Sequence, residues 1–74
     1  MDELMEILQR AKPDVDFEIE DALIDDGILA SFDIITIVNA INDTFDVEVT
    51  VAQLKPENFN SAEAIWSMIQ ELQD

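Results

Sequence analysis

Apolar residues repeat at the three- and four-residue spacing of an α-helix in three separate blocks, and this pattern most limits the folds open to the chain. The first block predicts a short helix at about residues 3–11, which stops at Lys12-Pro13 because a proline disfavours helix in the residue before it. The second block predicts a helix with Ser31 standing just before it as the N-cap. The third predicts a last helix that begins at Asn60 or Ser61. The three apolar stripes are Leu4, Ile7, Leu8 and Ala11; Ile34, Ile37, Val38, Ile41 and Phe45; and Ala62, Ile65, Trp66, Ile69 and Leu72.

The segments between these blocks are of two kinds. Residues 14–30 mix acidic and apolar residues and predict a long loop pinned to the core, with a tight turn at Gly27, the only glycine. Residues 47–51 alternate valine with polar residues, which by itself suggests a strand. We expect an extended connector instead, because a lone strand would have no partner for its backbone groups. Short helical turns are expected at residues 51–54 and 57–60.

These elements predict one small helical domain. At 74 residues the chain can build only one hydrophobic core, so residues 1–74 form a single domain. Asn60 and Glu63 have the spacing of a capping box, which predicts Asn60 in the cap position of the last helix. The expected fold is all-α: three main helices and one short helix, with a long loop between the first two helices.

Charge and composition exclude several classes of function. Eighteen acidic and three basic residues give a formal net charge of −15, which repels nucleic acids and anionic membranes and favours partners with basic surfaces. The chain contains no His and no Cys, so Ser-His and Cys-His catalysis and thiolate or imidazole metal sites are excluded. We therefore expect a protein that is not an enzyme. The acidic start and the absence of a long apolar run predict a cytoplasmic protein without membrane insertion. The charge also predicts a monomer.

Ser31 is the candidate functional residue. It follows the Gly27 turn and is predicted at the N-terminus of the second helix, where free backbone N–H groups and the helix dipole favour negative charge by roughly 0.3–1 kcal/mol. That position suits a phosphodiester on the serine. The simpler interpretation is a plain N-cap, and the two interpretations are compatible. Since the chain has no His base, another enzyme would have to attach the group.

Three segments resemble the acyl carrier family, the phosphopantetheine-binding domains of fatty-acid, polyketide, peptidyl and D-alanyl carriers. The similarity covers nearly the whole chain in order and spacing. It is carried by Asp26–Phe32 (DGILASF), by Phe45–Val49 (FDVEV), and by Leu54–Ser61 (LKPENFNS) leading into Ala64–Ile65. The resemblance implies the four-helix carrier fold.

The resemblance also implies a function. In the family, the serine at the position of Ser31 receives 4′-phosphopantetheine from coenzyme A, and the arm then holds an acyl or aminoacyl group as a thioester. The implied partners are a phosphopantetheinyl transferase, a loading enzyme, and a downstream synthase or transferase with a basic docking surface. Ala30 stands where the family usually has Asp. This departure supports a rival hypothesis, in which the chain is an unmodified docking module with the carrier fold.

The predicted docking surface lies on the second helix. Relative to its core stripe, Phe32, Thr36, Asn39 and Asp43 point outward, with Asp33 and Ile35 on the flanks. The resemblance implies that Phe32, Asp33, Ile35, Thr36 and Asn39 contact partner proteins.

Two further features have competing interpretations. Asp14, Asp16 and Glu18 have the one-three-five spacing of a calcium loop, but Ile19 occupies the position that needs glycine, and Asp25 stands where the bidentate Glu is usual, so no metal site is expected. Aromatic residues could line a pocket for a bound chain. Trp66 is expected in the core or at its edge, whereas the resemblance places Phe59 on the short element beside an apolar cleft.

Overall fold

A computed structural model describes residues 2–74, which form four α-helices and one 3₁₀ turn with no β-strand among them. The helices are α1 (Asp2–Ala11), α2 (Ser31–Phe45), α3 (Pro56–Phe59) and α4 (Ala62–Gln73), and the 3₁₀ turn is Val51–Gln53. A loop of 19 residues, 12–30, joins α1 to α2. The expected all-α fold, with three main helices and one short helix, is confirmed.

The core lies between the helices and the long loop. Helix α1 packs against both α2 and α4, and α3 packs against α4. Leu4 and Leu8, one helical turn apart, are completely buried, as are Ile37 and Ile41 of α2. Three apolar residues of the loop complete the core, which explains why so long a segment stays in place. They are Phe17, Leu23 and Leu29.

The start of α2 differs by one residue from the prediction. Ser31 is not the N-cap but the first helical residue, and Ala30 occupies the cap position with extended backbone angles (φ −87°, ψ 169°). The carbonyl of Ala30 accepts the first helical hydrogen bond from the N–H of Ile34 at 3.1 Å. The physical reason is Asp33, whose carboxylate accepts the N–H of Ala30 at 3.0 Å, which is the N3 half of a capping box.

The predicted extended connector after α2 is confirmed. Helix α2 ends at Asp46 in the left-handed conformation (φ 54°, ψ 47°), and the chain then continues without helix or strand through residue 50. The side-chain oxygen of Asn42 accepts the N–H of Val49 at 2.9 Å. This hydrogen bond replaces one that a neighbouring strand would supply, so Val47 and Val49 can pack on the core without a sheet, whereas Val51 is exposed.

Helix α4 is capped by Ser61, whose hydroxyl accepts the N–H of Ala64 at 3.0 Å. The prediction of Ser61 as the start is therefore confirmed, and that of Asn60 as the cap is wrong, because the Asn60 carboxamide is bonded to the long loop instead. Trp66 lies at the core edge as predicted. Its ring meets Phe45 edge-on, with centroids 5.8 Å apart and an interplanar angle of 66°.

None of the helices within residues 2–74 has the length and apolar content needed to cross a membrane.

Candidate functional site

Ser31 lies exposed at the first position of α2, four residues after Gly27, which ends a turn of the long loop. Gly27 has φ +71°, and its N–H bonds the carbonyl of Ile24 at 3.0 Å, so the predicted tight turn is confirmed. None of the side-chain hydrogen bonds within residues 2–74 uses the Ser31 hydroxyl. The Ser31 side chain is therefore exposed to solvent, and its hydroxyl is not engaged by another group of the described residues.

The charge next to Ser31 is set by Asp33 and Lys12. The Asp33 carboxylate accepts the N–H of Ala30 and lies 3.1 Å from the Lys12 ammonium, the one ion pair formed among the described residues. The hydrogen bond from Ala30 and then the contact with Lys12 hold the pKa of Asp33 below its ordinary value of 3.8. One of the chain's three basic residues thus neutralises the carboxylate nearest to Ser31 in the helix.

The first turn of α2 leaves backbone donors free. Ala30 has no side-chain oxygen, so the reciprocal half of the capping box cannot form, and the cap position makes no side-chain bond to the helix. The N–H groups of Phe32 and Asp33 belong to the first turn, where no intrahelical acceptor exists. Ser31 therefore stands at a helix end with unsatisfied donors and a partial positive charge, an environment that favours an anionic substituent.

The predicted docking residues fall into two groups. Phe32 and Ile35 have exposed fractions of 78% and 59%, and Thr36 and Asn39 are also exposed, so these four form an open surface along α2. The Thr36 hydroxyl donates to the carbonyl of Phe32 at 3.1 Å. Asp33 does not belong to this open surface, since its side chain is only 17% exposed and is engaged with Lys12 and Ala30.

An apolar cleft opens beside this site. Its volume is about 120 Å³, and it is bounded by the long loop, by α2, and by residues 54–59, which include α3. Ile34 lines it and is three residues after Ser31, so both side chains lie on one side of the first turn of α2. Phe59 is almost fully buried in the wall of the cleft, on the short helix α3, where the family resemblance leads us to expect it. The lining residues are Ile24, Ile34, Leu54, Lys55, Pro56 and Phe59.

The acidic loop contains no metal-binding arrangement. Among residues 2–74 there is no group of three or more acidic, His or Cys side chains placed to hold a metal ion. Asp16 instead accepts the N–H of Glu18 at 3.1 Å, which supports a local turn.

Lys12 and Asn60 are the two residues at this site that the sequence patterns did not identify. The Lys12–Asp33 pair joins residues 21 positions apart, and no periodic pattern links them. The spacing of Asn60 and Glu63 predicts Asn60 as a helix cap, whereas the adjacent Ser61 caps the helix and leaves the Asn60 carboxamide free to bond the loop. The only signal for this was the presence of two cap-forming residues in succession.

Comparisons with models of protein families, with curated proteins and with solved structures found no match to this chain.

Proposed function

We propose that this chain is a carrier protein that holds an acyl or aminoacyl group as a thioester on a 4′-phosphopantetheine arm attached to Ser31. The observation that carries the proposal is the exposed, uncommitted Ser31 hydroxyl at the first position of α2, beside free backbone N–H groups. A phosphodiester at this position would meet the positive end of the helix. The resemblance of the surrounding segments to the acyl carrier family supports the same assignment.

The residues around Ser31 fit the attachment chemistry. In the transfer, the serine oxygen forms a bond to the phosphorus next to the pantetheine of coenzyme A, the pyrophosphate bond breaks, and 3′,5′-ADP leaves. The serine proton passes to a base on the transferase, because the chain has no His. The terminal thiol supplied by the arm then carries the cargo. The chain's own contribution is to hold Ser31 exposed and to present the docking surface.

The proposed partners are a phosphopantetheinyl transferase, a loading enzyme and a downstream synthase or transferase. The open surface of Phe32, Ile35, Thr36 and Asn39 offers apolar contact, and the net charge of −15 favours partners with basic surfaces. Asp33 would act differently, by holding the start of α2 in place through Ala30. We propose a cytoplasmic location, because coenzyme A and the biosynthetic enzymes that use such carriers are available there.

Incubation with coenzyme A and a broad-specificity transferase tests the proposal. Mass spectrometry should find one phosphopantetheine on the wild type and on Ser67→Ala, a control at an exposed serine of α4, and none on Ser31→Ala. The chain has no Cys, so a thiol reagent should detect one thiol per modified molecule on a background of none. A folded wild type that several transferases leave unmodified would overturn the carrier function.

Ala30 favours a second candidate, an unmodified docking module. Its methyl group cannot supply the carboxylate that the family usually has before the serine. Ala30→Asp separates the two candidates. Modification of Ala30→Asp but not of the wild type would assign the wild type to the docking module, whereas modification of both would support the carrier. In the second case we expect kcat/KM for the transferase to rise about 2-fold to 5-fold in Ala30→Asp, the effect of one surface charge pair.

A further inference from the structure

The carboxamide of Asn60, at the junction of α3 and α4, binds two residues of the long loop, 35 and 36 positions earlier in the chain. Its oxygen accepts the N–H of Ile24 at 3.0 Å and that of Asp25 at 3.1 Å, and its nitrogen donates to the Asp25 carboxylate at 3.3 Å. The backbone carbonyl of Asn60 accepts the N–H of Leu23 at 2.8 Å. We call residues 23–25 the strap.

Other contacts also hold the strap: the side chain of Ile24 packs against the core, and its carbonyl accepts the N–H of Gly27 at 3.0 Å. Leu23 is fully buried, and its carbonyl accepts the N–H of Leu29 at 3.0 Å, which ties the strap to a second buried residue two positions before Ser31. Between these two anchors, Asp25, Asp26 and Gly27 are exposed. Within residues 2–74, every hydrogen bond that joins residues 22–29 to a later part of the chain comes from Asn60. Asn60 therefore supplies every hydrogen bond by which the described chain beyond residue 29 holds the strap.

The same strap forms one side of the apolar cleft. Ile24 lines the cleft from the strap, and Phe59, the residue before Asn60, lines it from α3. The hydrogen bonds of Asn60 thus join the two sides directly. A dry apolar cavity of about 150 Å³ accepts a benzene ring, and at about 120 Å³ the cleft is smaller than that. An apolar group larger than a benzene ring would therefore be only partly enclosed unless the sides move apart.

We propose that Asn60 is a latch that holds the strap closed, and that release of the strap widens the cleft and loosens the loop leading to Ser31. The widened cleft would take an uncharged aliphatic or aromatic group, since its lining is apolar except for Lys55. The latch rests on the contacts of Asn60. Only its use for a cargo on Ser31 rests on the proposed function.

Hydrogen exchange on the unmodified protein tests the latch. In Asn60→Ala, the amides of Ile24 and Asp25 should exchange roughly 10-fold to 100-fold faster relative to the amide of Ile41, as expected for two lost hydrogen bonds. Ser61→Ala is the matched control, because it removes the neighbouring helix cap without touching the strap. If both variants change this ratio equally, the effect is general destabilisation and the latch is refuted.

If Asn60→Ala does not fold, variants that exchange the carboxamide of Asn60 and the carboxylate of Asp25 still test the latch. Asn60→Asp retains an acceptor for the two amides but places a second carboxylate against Asp25, so the strap should loosen. The double variant Asn60→Asp, Asp25→Asn restores a donor and an acceptor with the roles reversed. In this double variant, the exchange rate of the Ile24 amide should return to within about 3-fold of the wild-type rate. A difference of about 3-fold corresponds to less than the free energy of one typical hydrogen bond. Failure of this rescue would overturn the assignment of the Asn60–Asp25 contact to the latch.

Binding of N-phenyl-1-naphthylamine, an uncharged dye with a naphthalene and a phenyl group, tests the cleft. Dye affinity should increase in Asn60→Ala and Asn60→Asp and stay at the wild-type level in Ser61→Ala. Faster strap exchange without a gain in dye affinity would overturn the coupling between strap and cleft. All these measurements use the protein without an arm. The latch can therefore be upheld even if Ser31 is never modified, and modification of Ser31 can be shown even if the latch is refuted.

Discussion

The carboxylate of Asp33 accepts the backbone N–H of Ala30, three residues earlier, at 3.0 Å. This is the N3 half of a capping box, and the other half is missing because Ala30 has no side-chain acceptor. Only one of the two capping-box hydrogen bonds therefore stabilises the start of α2. The donors that remain free lie next to the Ser31 hydroxyl, which ties the stability of this helix end to the site of proposed modification.

Completing the capping box should stabilise the protein. Ala30 already has extended backbone angles suited to an N-cap, so Ala30→Ser should raise the free energy of unfolding by about 0.5–2 kcal/mol. Urea denaturation measures this change. Ala52→Ser, at an exposed position of the 3₁₀ turn, is the control and should change stability little. An Ala30→Ser variant no more stable than wild type would contradict the assignment of Ala30 as the cap.

The pKa of Asp33 predicts a pH dependence of stability. Because its folded-state pKa is lowered, the stabilisation from Asp33 is fully present above the ordinary value of 3.8 and is lost as pH falls through the lowered value. Asp33→Asn should therefore be less stable than the wild type near neutral pH, and the difference should shrink below about pH 3.8. Urea titrations from acid to neutral pH measure it.

The control for this experiment is Asp43→Asn, which removes one charge from an exposed position of the same helix. It separates the relief of net negative charge from the loss of the Ala30 and Lys12 contacts. A difference between wild type and Asp33→Asn that stays constant down to strongly acidic pH would contradict the lowered pKa.

Two residues with positive φ should respond to substitution in opposite directions. Asp46 adopts the left-handed conformation at the C-terminus of α2, where its negative charge also opposes the helix dipole, so Asp46→Gly should stabilise the protein by about 1 kcal/mol. Gly27 has φ +71° with open space around its missing Cβ, so Gly27→Ala should destabilise by about 1–2 kcal/mol through backbone strain alone. Thermal unfolding measures both changes in stability. If the two substitutions changed stability in the same direction, the left-handed conformation assigned to one of these residues would be contradicted.

Salt should stabilise the protein. With a net charge of −15 and a single ion pair within residues 2–74, the folded chain is under strong self-repulsion. The screening length falls from about 10 Å at 0.1 M salt to about 3 Å at 1 M. If screening contributes about 1 kcal/mol, Tm should rise by about 4–8 °C, and Mg²⁺ should also raise it. The absence of any rise with either salt would refute the argument.

The sequence patterns predicted the helices closely because apolar spacing reports which residues can share a buried face. Ile37 and Ile41 are completely buried, as the stripe through α2 requires, and the short turns at Val51–Gln53 and Pro56–Phe59 lie within a residue or so of their predicted positions. The extended connector was also predictable, because a lone strand has no partner. The patterns could not predict that the side chain of Asn42 would accept the N–H of Val49 in place of a partner strand.

The cap positions show where local patterns fail. Ser31 and Asn60 are both good cap residues, yet neither caps a helix. In each case a competing partner decided the outcome: Asp33 bonds Ala30 and shifts the start of α2, and the loop occupies the Asn60 carboxamide. A cap is worth only about 1 kcal/mol, so contacts of similar strength can displace it by one residue.

By itself, the sequence determined that this chain forms a small helical bundle with a strong negative charge and with neither His nor Cys, because spacing, length and composition are properties that each segment carries independently of the others. The tertiary structure decided what surrounds Ser31. Lys12 reaches Asp33, and Asn60 reaches Asp25 of the strap across 35 residues, only because packing of the helices brings these groups within hydrogen-bonding distance. Such contacts depend on geometry that no periodic pattern in the chain encodes.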